Sequence, residues 1–227
     1  IMNHKTIRLM KKYTLGLLAL TAVFACKDDK KEVEVVEEEV IEKYTAIQDQ
    51  DIENAIIYEA NIRQYSPEGT FNEFTKDIPQ LKELGVKVIW LMPIFPISEK
   101  NRKAKAGLLV EDIKDSKERD KYLGSYYAVA DYEKINPDLG TSADLIKLVE
   151  TAHENGMYVI LDWVANHTGW DNLWIKKYPE FYTRDENGKM IHPVGTDWTD
   201  TADLNYDNRD LWDAMSNAMS NWVTEYN

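Results

Sequence analysis

The run Gly156-Met157-Tyr158-Val159-Ile160-Leu161-Asp162-Trp163-Val164-Ala165-Asn166-His167-Thr168-Gly169 constrains this chain more than any other segment. It begins with a helix-ending glycine, stays apolar through Leu161, and then turns to Asp162, Asn166 and His167. A short stretch that is apolar at consecutive positions belongs inside a parallel sheet covered on both faces. Polar groups at the carboxyl end of such a strand are how α/β barrels build sites. A sugar or a hard metal ion would meet those groups.

The rest of the folded part repeats the same unit. Ala55-Ile56-Ile57-Tyr58-Glu59-Ala60 reads as a first buried strand. Pro67-Glu68-Gly69 breaks the chain, and Thr70 with Glu73 has the spacing of a capping box. The following helix carries Phe71, Phe74, Ile78, Leu81 and Leu84 on one side, holds Pro79 as an expected kink, and ends at Gly85. A strand over 86–92 follows, closed by Pro93 and Pro96. Charged residues dominate 98–124, a surface excursion leading to Tyr126-Tyr127. A second helix is expected over 142–155 with Ala143, Leu145, Ile146, Leu148 and Val149 turned inward, then a strand over 157–164. Residues 165–207 form a polar segment rich in Trp and Tyr, in which Asn187-Gly188 marks a hairpin turn. A last helix over 209–226 aligns Leu211, Met215, Ala218, Met219, Trp222 and Tyr226 in one stripe. This alternation implies an α/β fold with parallel strands. Periodicity fits a barrel and a doubly wound sheet equally, although no G-x-G-x-x-G follows the first strand.

The amino-terminal region is of another kind. Met10-Lys11-Lys12 opens a basic stretch, and Leu15 to Ala25 is almost wholly apolar before Cys26. A helix of that length spans ~16 Å, against the ~30 Å of a bilayer core. The pattern is therefore that of a signal peptide. Val23-Phe24-Ala25-Cys26 resembles a bacterial lipobox, which makes Cys26 a lipidation site and residues 1–26 the leader. An ordinary signal peptide with an incidental cysteine is the alternative. The clean signal from Met10 marks residues 1–9 as upstream sequence. Residues 27–43 hold eight acidic and four basic side chains without Gly or Pro, so 27–53 reads as an acidic tether. Acidic residues after a lipidated cysteine resemble the surface-export signal of Bacteroidetes lipoproteins, which implies a lipid-anchored protein at a bacterial outer membrane or cell surface. A formal charge of −13 argues against nucleic acid as a partner. The single cysteine excludes an intramolecular disulfide.

Five segments together resemble the α-amylase family of glycoside hydrolases. Residues 57–65 (Ile-Tyr-Glu-Ala-Asn-Ile-Arg-Gln-Tyr) are similar to its first barrel strand and turn, and 85–93 to its second strand. Tyr127-Ala128-Val129-Ala130-Asp131-Tyr132 with 136–141 resembles the loop preceding the third unit. Asp162-Trp163-Val164-Ala165-Asn166-His167 matches the first signature region, with Trp163 where an aliphatic residue is usual, and Ala202-Asp203-Leu204-Asn205 resembles a motif late in domain B. The resemblance covers 54–227 and implies an incomplete TIM (β/α)8 barrel of about three units, with domain B at about 166–206. A whole barrel needs ~250 residues, so the chain reads as the amino-terminal part of a longer product.

The resemblance also implies the chemistry. Family members cleave or transfer α-glucosidic bonds with retention, using a carboxylate nucleophile and a carboxylic acid ~5–5.5 Å apart. Those residues belong to later strands, so no catalytic residue is assigned here, and neither Asp162 nor Asp131 is promoted to the role. What carries over is substrate binding: His167 donates to the sugar, Tyr127 stacks beneath it, and Asp162 orients neighbouring groups. For Tyr127 the plain alternative is wall packing, and for His167 a core or surface position. Asn166 and Asp203 match positions that ligate a structural Ca2+ in many members, although calcium wants six to eight oxygens. The implied activity is hydrolysis of starch or maltooligosaccharides, an α-glucan being the partner. A transglycosylase or isomerase of the same family, a non-catalytic surface glycan-binding protein and an inactive remnant stand as alternatives.

Overall fold

The computed structural model describes residues 47–226, all within the unit that begins at Lys43. The signal segment, Cys26 and positions 27–46 of the expected tether lie outside the described residues. The rest of that expected tether contains a helical turn at Asp49–Glu53 rather than extended chain.

Three strands build the main sheet in the order β1-β2-β3: β1 Ile56–Ala60, β2 Val86–Leu91 and β3 Tyr158–Leu161. Both pairings are parallel, placing Glu59 beside Trp90 and Trp90 beside Ile160. Each crossover contains a helix: α1 Phe71–Glu83 and α2 Ser142–Glu154. Strand side chains alternate between faces. Ile89 and Leu91 of β2 pack on Phe71, Phe74 and Ile78 of α1 and on Leu145, Leu148 and Ala152 of α2, all essentially fully buried. Each such side chain contributes on the order of 1.5–3 kcal/mol by leaving water. The opposite face is less covered: Ile57 keeps 53% and Ile160 44% of its surface exposed.

The helix ends differ from expectation. Thr70 makes no side-chain cap, because Glu73 instead grips Lys76 at 2.5 Å and Phe71 N–H donates to the carbonyl of Leu139. The capping box forms on α2, where Thr141 N–H donates to Asp144 Oδ2 at 2.8 Å and Asp144 N–H returns to Thr141 Oγ1. Asn72 of α1 donates to the other oxygen of Asp144 at 2.6 Å, tying the two helices together. Helix α1 continues through Pro79 to Glu83. On α2, Ala143 and Ile146 face solvent, whereas Ala152 is buried in their place. The apolar spacing 145, 148, 149, 152 sets that inward stripe.

Helix α3, Arg209–Tyr226, buries Leu211, Met215, Ala218 and Trp222, while Met219 remains half exposed. Its Trp222 enters an aromatic cluster in which the Phe95 ring meets Trp163, Trp222 and Tyr132 edge-on at 5.2, 5.3 and 5.9 Å. Trp163 stacks on Tyr132 at 5.4 Å, which gives the unusual tryptophan of the signature region a packing role. Between β3 and α3 lies a small antiparallel unit: β4 His167–Gly169 pairs with β5 Thr201–Asp203. The hairpin turn expected at Asn187-Gly188 is present, with Arg184 bridged to Met190 and Gly188 at φ 77°. The excursion 98–124 consists of short turns and a helical segment at Ser116–Arg119.

Candidate active-site cleft

The site lies where the strands end. Asp162 immediately follows β3, and its N–H donates to the carbonyl of Leu91 at 2.8 Å, so the ladder carries this residue onto the face of Ile160, Trp90 and Glu59. Tyr127, from the loop before α2, donates its hydroxyl to Asp162 Oδ2 at 3.1 Å. Burial, and then the negative charge of Asp162, push the Tyr127 phenol up to about 12, with Glu59 adding to the effect. It is therefore a proton donor throughout the neutral range.

His167 is buried, the first residue of β4 and opposite Asp203 of β5. Asn166 Nδ2 lies 3.0 Å from His167 Nδ1. With the amide donating, the neutral ring keeps its proton on Nε2. Burial lowers the imidazole pKa below its ordinary value; the backbone carbonyl of Tyr127 and the carboxylates of Asp200 and Asp203 oppose that shift. The backbone beneath it is fixed by Tyr132, whose buried hydroxyl is shared between the carbonyls of Val164 at 2.6 Å and His167 at 3.1 Å. Gly169 permits the close approach of the segment around Ser98, since a Cβ there would sit 2.2 Å from Ser98 Cβ.

Tyr127 and His167 line one cleft of about 430 Å³, together with Ser125 and Thr201. That volume is in the range of small-molecule sites, roughly 300–1,000 Å³. Asp162 reaches the cleft through its bond to Tyr127. Asp131 serves elsewhere: it accepts the N–H of Glu133 and pairs with Lys134 at 3.4 Å. Asn166 and Asp203 come near one another, the carbonyl of Asn166 accepting from Leu204 N–H at 3.2 Å. Their side chains supply three oxygens, the Asn166 amide nitrogen is turned to His167, and no group of three or more His, Cys, Asp or Glu capable of holding a metal occurs among the described residues. This donor set does not fit a calcium ion.

Five cleft residues escaped the sequence reading, Ser125 and Thr201 among them. Lys103, Trp198 and Asp200 line the same space. Lys103 lies in the charged excursion, and the other two lie in Asp197-Trp198-Thr199-Asp200, where an indole between carboxylates was the available signal.

Residues 29–193 match the family model for the alpha-amylase catalytic domain. The chain belongs to the alpha-amylase family. An alpha-amylase from Lactobacillus plantarum superimposes with a TM-score of 0.67 at 38% identity, over 77% of this chain and 37% of that one. The maltogenic alpha-amylase AmyB from Thermotoga neapolitana gives 0.66 at 38% identity, over 78% and 38%. Alpha-amylase SusG of Bacteroides thetaiotaomicron is 33% identical over 135 residues, which is 56% of this chain and 16% of SusG. The chain thus spans well under half the length of these alpha-amylases. Its parallel sheet is that of an incomplete amylase barrel, which decides against the doubly wound alternative.

Proposed function

We propose that the protein carrying this chain is a retaining α-glucoside hydrolase of starch or maltooligosaccharides, and that residues 54–227 supply its sugar-binding wall. The observation that carries this reading is the convergence at one sheet end of Tyr127, Asp162 and His167, joined by the 3.1 Å Tyr127–Asp162 bond and a shared cleft. Tyr127 offers an aromatic face, and the His167 imidazole lines the same cleft as a polar group. Pyranose rings, apolar above and polar at the rim, suit that pair. Asp162 holds the Tyr127 ring in place. In this reading 166–206 is domain B, and the 227-residue chain is inactive alone because neither reacting carboxylate is within it. Asn166 and Asp203 alone do not make up the six to eight oxygens of a calcium cage.

The leader 1–26 and the lipobox at Cys26 support a lipid anchor at a bacterial surface. No helix among the described residues is long and apolar enough to cross a membrane. Reading the gene beyond the codon for Asn227 tests the enzyme assignment. A frame continuing into an Arg-x-Asp strand, whose product releases reducing sugar from starch, supports it. A stop codon there replaces it with the non-catalytic glycan-binding reading.

A further inference from the structure

We propose that Trp198 is a second sugar-stacking residue of the cleft, held in position by Lys103 and Asp200, so that the site grips two consecutive glucose units. The proposal rests on the glucan-binding reading above. The indole is 45% exposed, and its ring centroid lies 5.3 Å from that of His167 at a tilt of 58°. Trp163, Trp170, Trp212 and Trp222 each donate their indole N–H to a protein acceptor. Those of Trp90, Trp174 and Trp198 make no such bond among the described residues, and of these three only Trp198 lines the cleft. An aromatic ring with an open polar edge beside a sugar-sized cleft suits an amphipathic ligand.

The turn that carries Trp198 is built to hold it still. The Trp198 carbonyl accepts from Thr201 N–H at 3.0 Å and from Thr201 Oγ1 at 2.8 Å. Its N–H lies 3.3 Å from Thr196 Oγ1, and Trp170 Nε1 holds the next carbonyl, that of Thr199, at 2.9 Å. From the excursion, Lys103 donates to the carbonyl of Asp197 and lies 3.5 Å from Asp200 Oδ1. An exposed indole on a backbone fixed from three directions is preorganised, which lowers the entropic cost of binding. Lys103 and Asp200 act through the turn and are positioning residues.

Native gels cast with amylopectin test the proposal on the 227-residue chain, each variant being checked by its thermal melt. Trp198→Ala should lose about tenfold in affinity with an unchanged melt, and Trp198→Phe should keep most of it. Lys103→Met should weaken binding severalfold, and Lys103→Arg should restore it. If His167→Ala abolishes retardation while Trp198→Ala does not alter it, the second stacking position is wrong and the glucan reading survives. If the unaltered chain runs without retardation, both fall.

Discussion

At the scale of single residues, the cleft is governed by which protons stay put. Tyr127 is held protonated by burial and by Asp162, with a pKa of about 12, and Tyr65 by burial and its bond to Asp77, also about 12. A raised folded value means that the native state retains the proton between pH 10 and 12. The stabilisation is then complete below the ordinary tyrosine pKa of ~10 and is lost as pH climbs through the folded value. An alkaline titration followed at the phenolate absorbance should show a late-ionising group that Tyr127→Phe removes. Gly169 gives a steric counterpart. Gly169→Ala drives a methyl into Ser98 and should cost about 1–3 kcal/mol. Gly156→Ala, with φ 72° but open space around it, should cost only ~1–2 kcal/mol of backbone strain. Chemical denaturation of the two variants separates contact from conformation: an equal, small loss in both would contradict the close approach at Gly169.

At the scale of elements, apolar periodicity located nearly everything that the hydrophobic effect decides. Helix α3 has the expected ends, β1 and β2 lie within the expected strands and are slightly shortened, and β3 covers only half of its expected span. Caps were less legible, because a Thr-x-x-Glu pattern does not reveal which partner the glutamate prefers. Glu73 chose Lys76, whereas Asp144 chose Thr141 and gained Asn72 from another helix. The site divided in the same way. Asp162 and His167 sit in one motif anchored by the end of β3 and the start of β4, and Tyr127 in the loop motif before α2, whereas Trp198 and Lys103 meet only through irregular chain. Asp144 carries a testable consequence: hydrogen bonds from Thr141, then from Asn72, lower its pKa. A depressed folded value gives stability that is present above the ordinary carboxylate pKa of ~3.9 and lost as pH falls through the folded one. The gap in melting temperature between the unaltered chain and Asp144→Asn should therefore persist at neutral pH and close in acid.

At the scale of the whole molecule, the sheet is unfinished on one flank. An apolar groove of about 290 Å³ runs along β3, between α2 and α3, lined by residues that include Val159, Ile160, Trp163, Met219 and Val223. Exposed apolar surface of this kind binds hydrophobic dyes and invites association. The 227-residue chain should raise ANS fluorescence severalfold at neutral pH, and Val223→Lys with Met219→Lys should reduce the signal while leaving the cleft intact. A dark dye would contradict this account of the flank.

Tyr132 fixes the carbonyl beneath His167, yet its own carbonyl accepts the indole N–H of Trp222, ninety residues further along the chain. Synthesis runs in that order. On the ribosome the loop holding the tyrosine emerges first, then the histidine, and the indole that locks them arrives only with the last helix. The nascent polypeptide thus exposes the Tyr132 and His167 segments before the helix whose indole bonds the tyrosine carbonyl has been made.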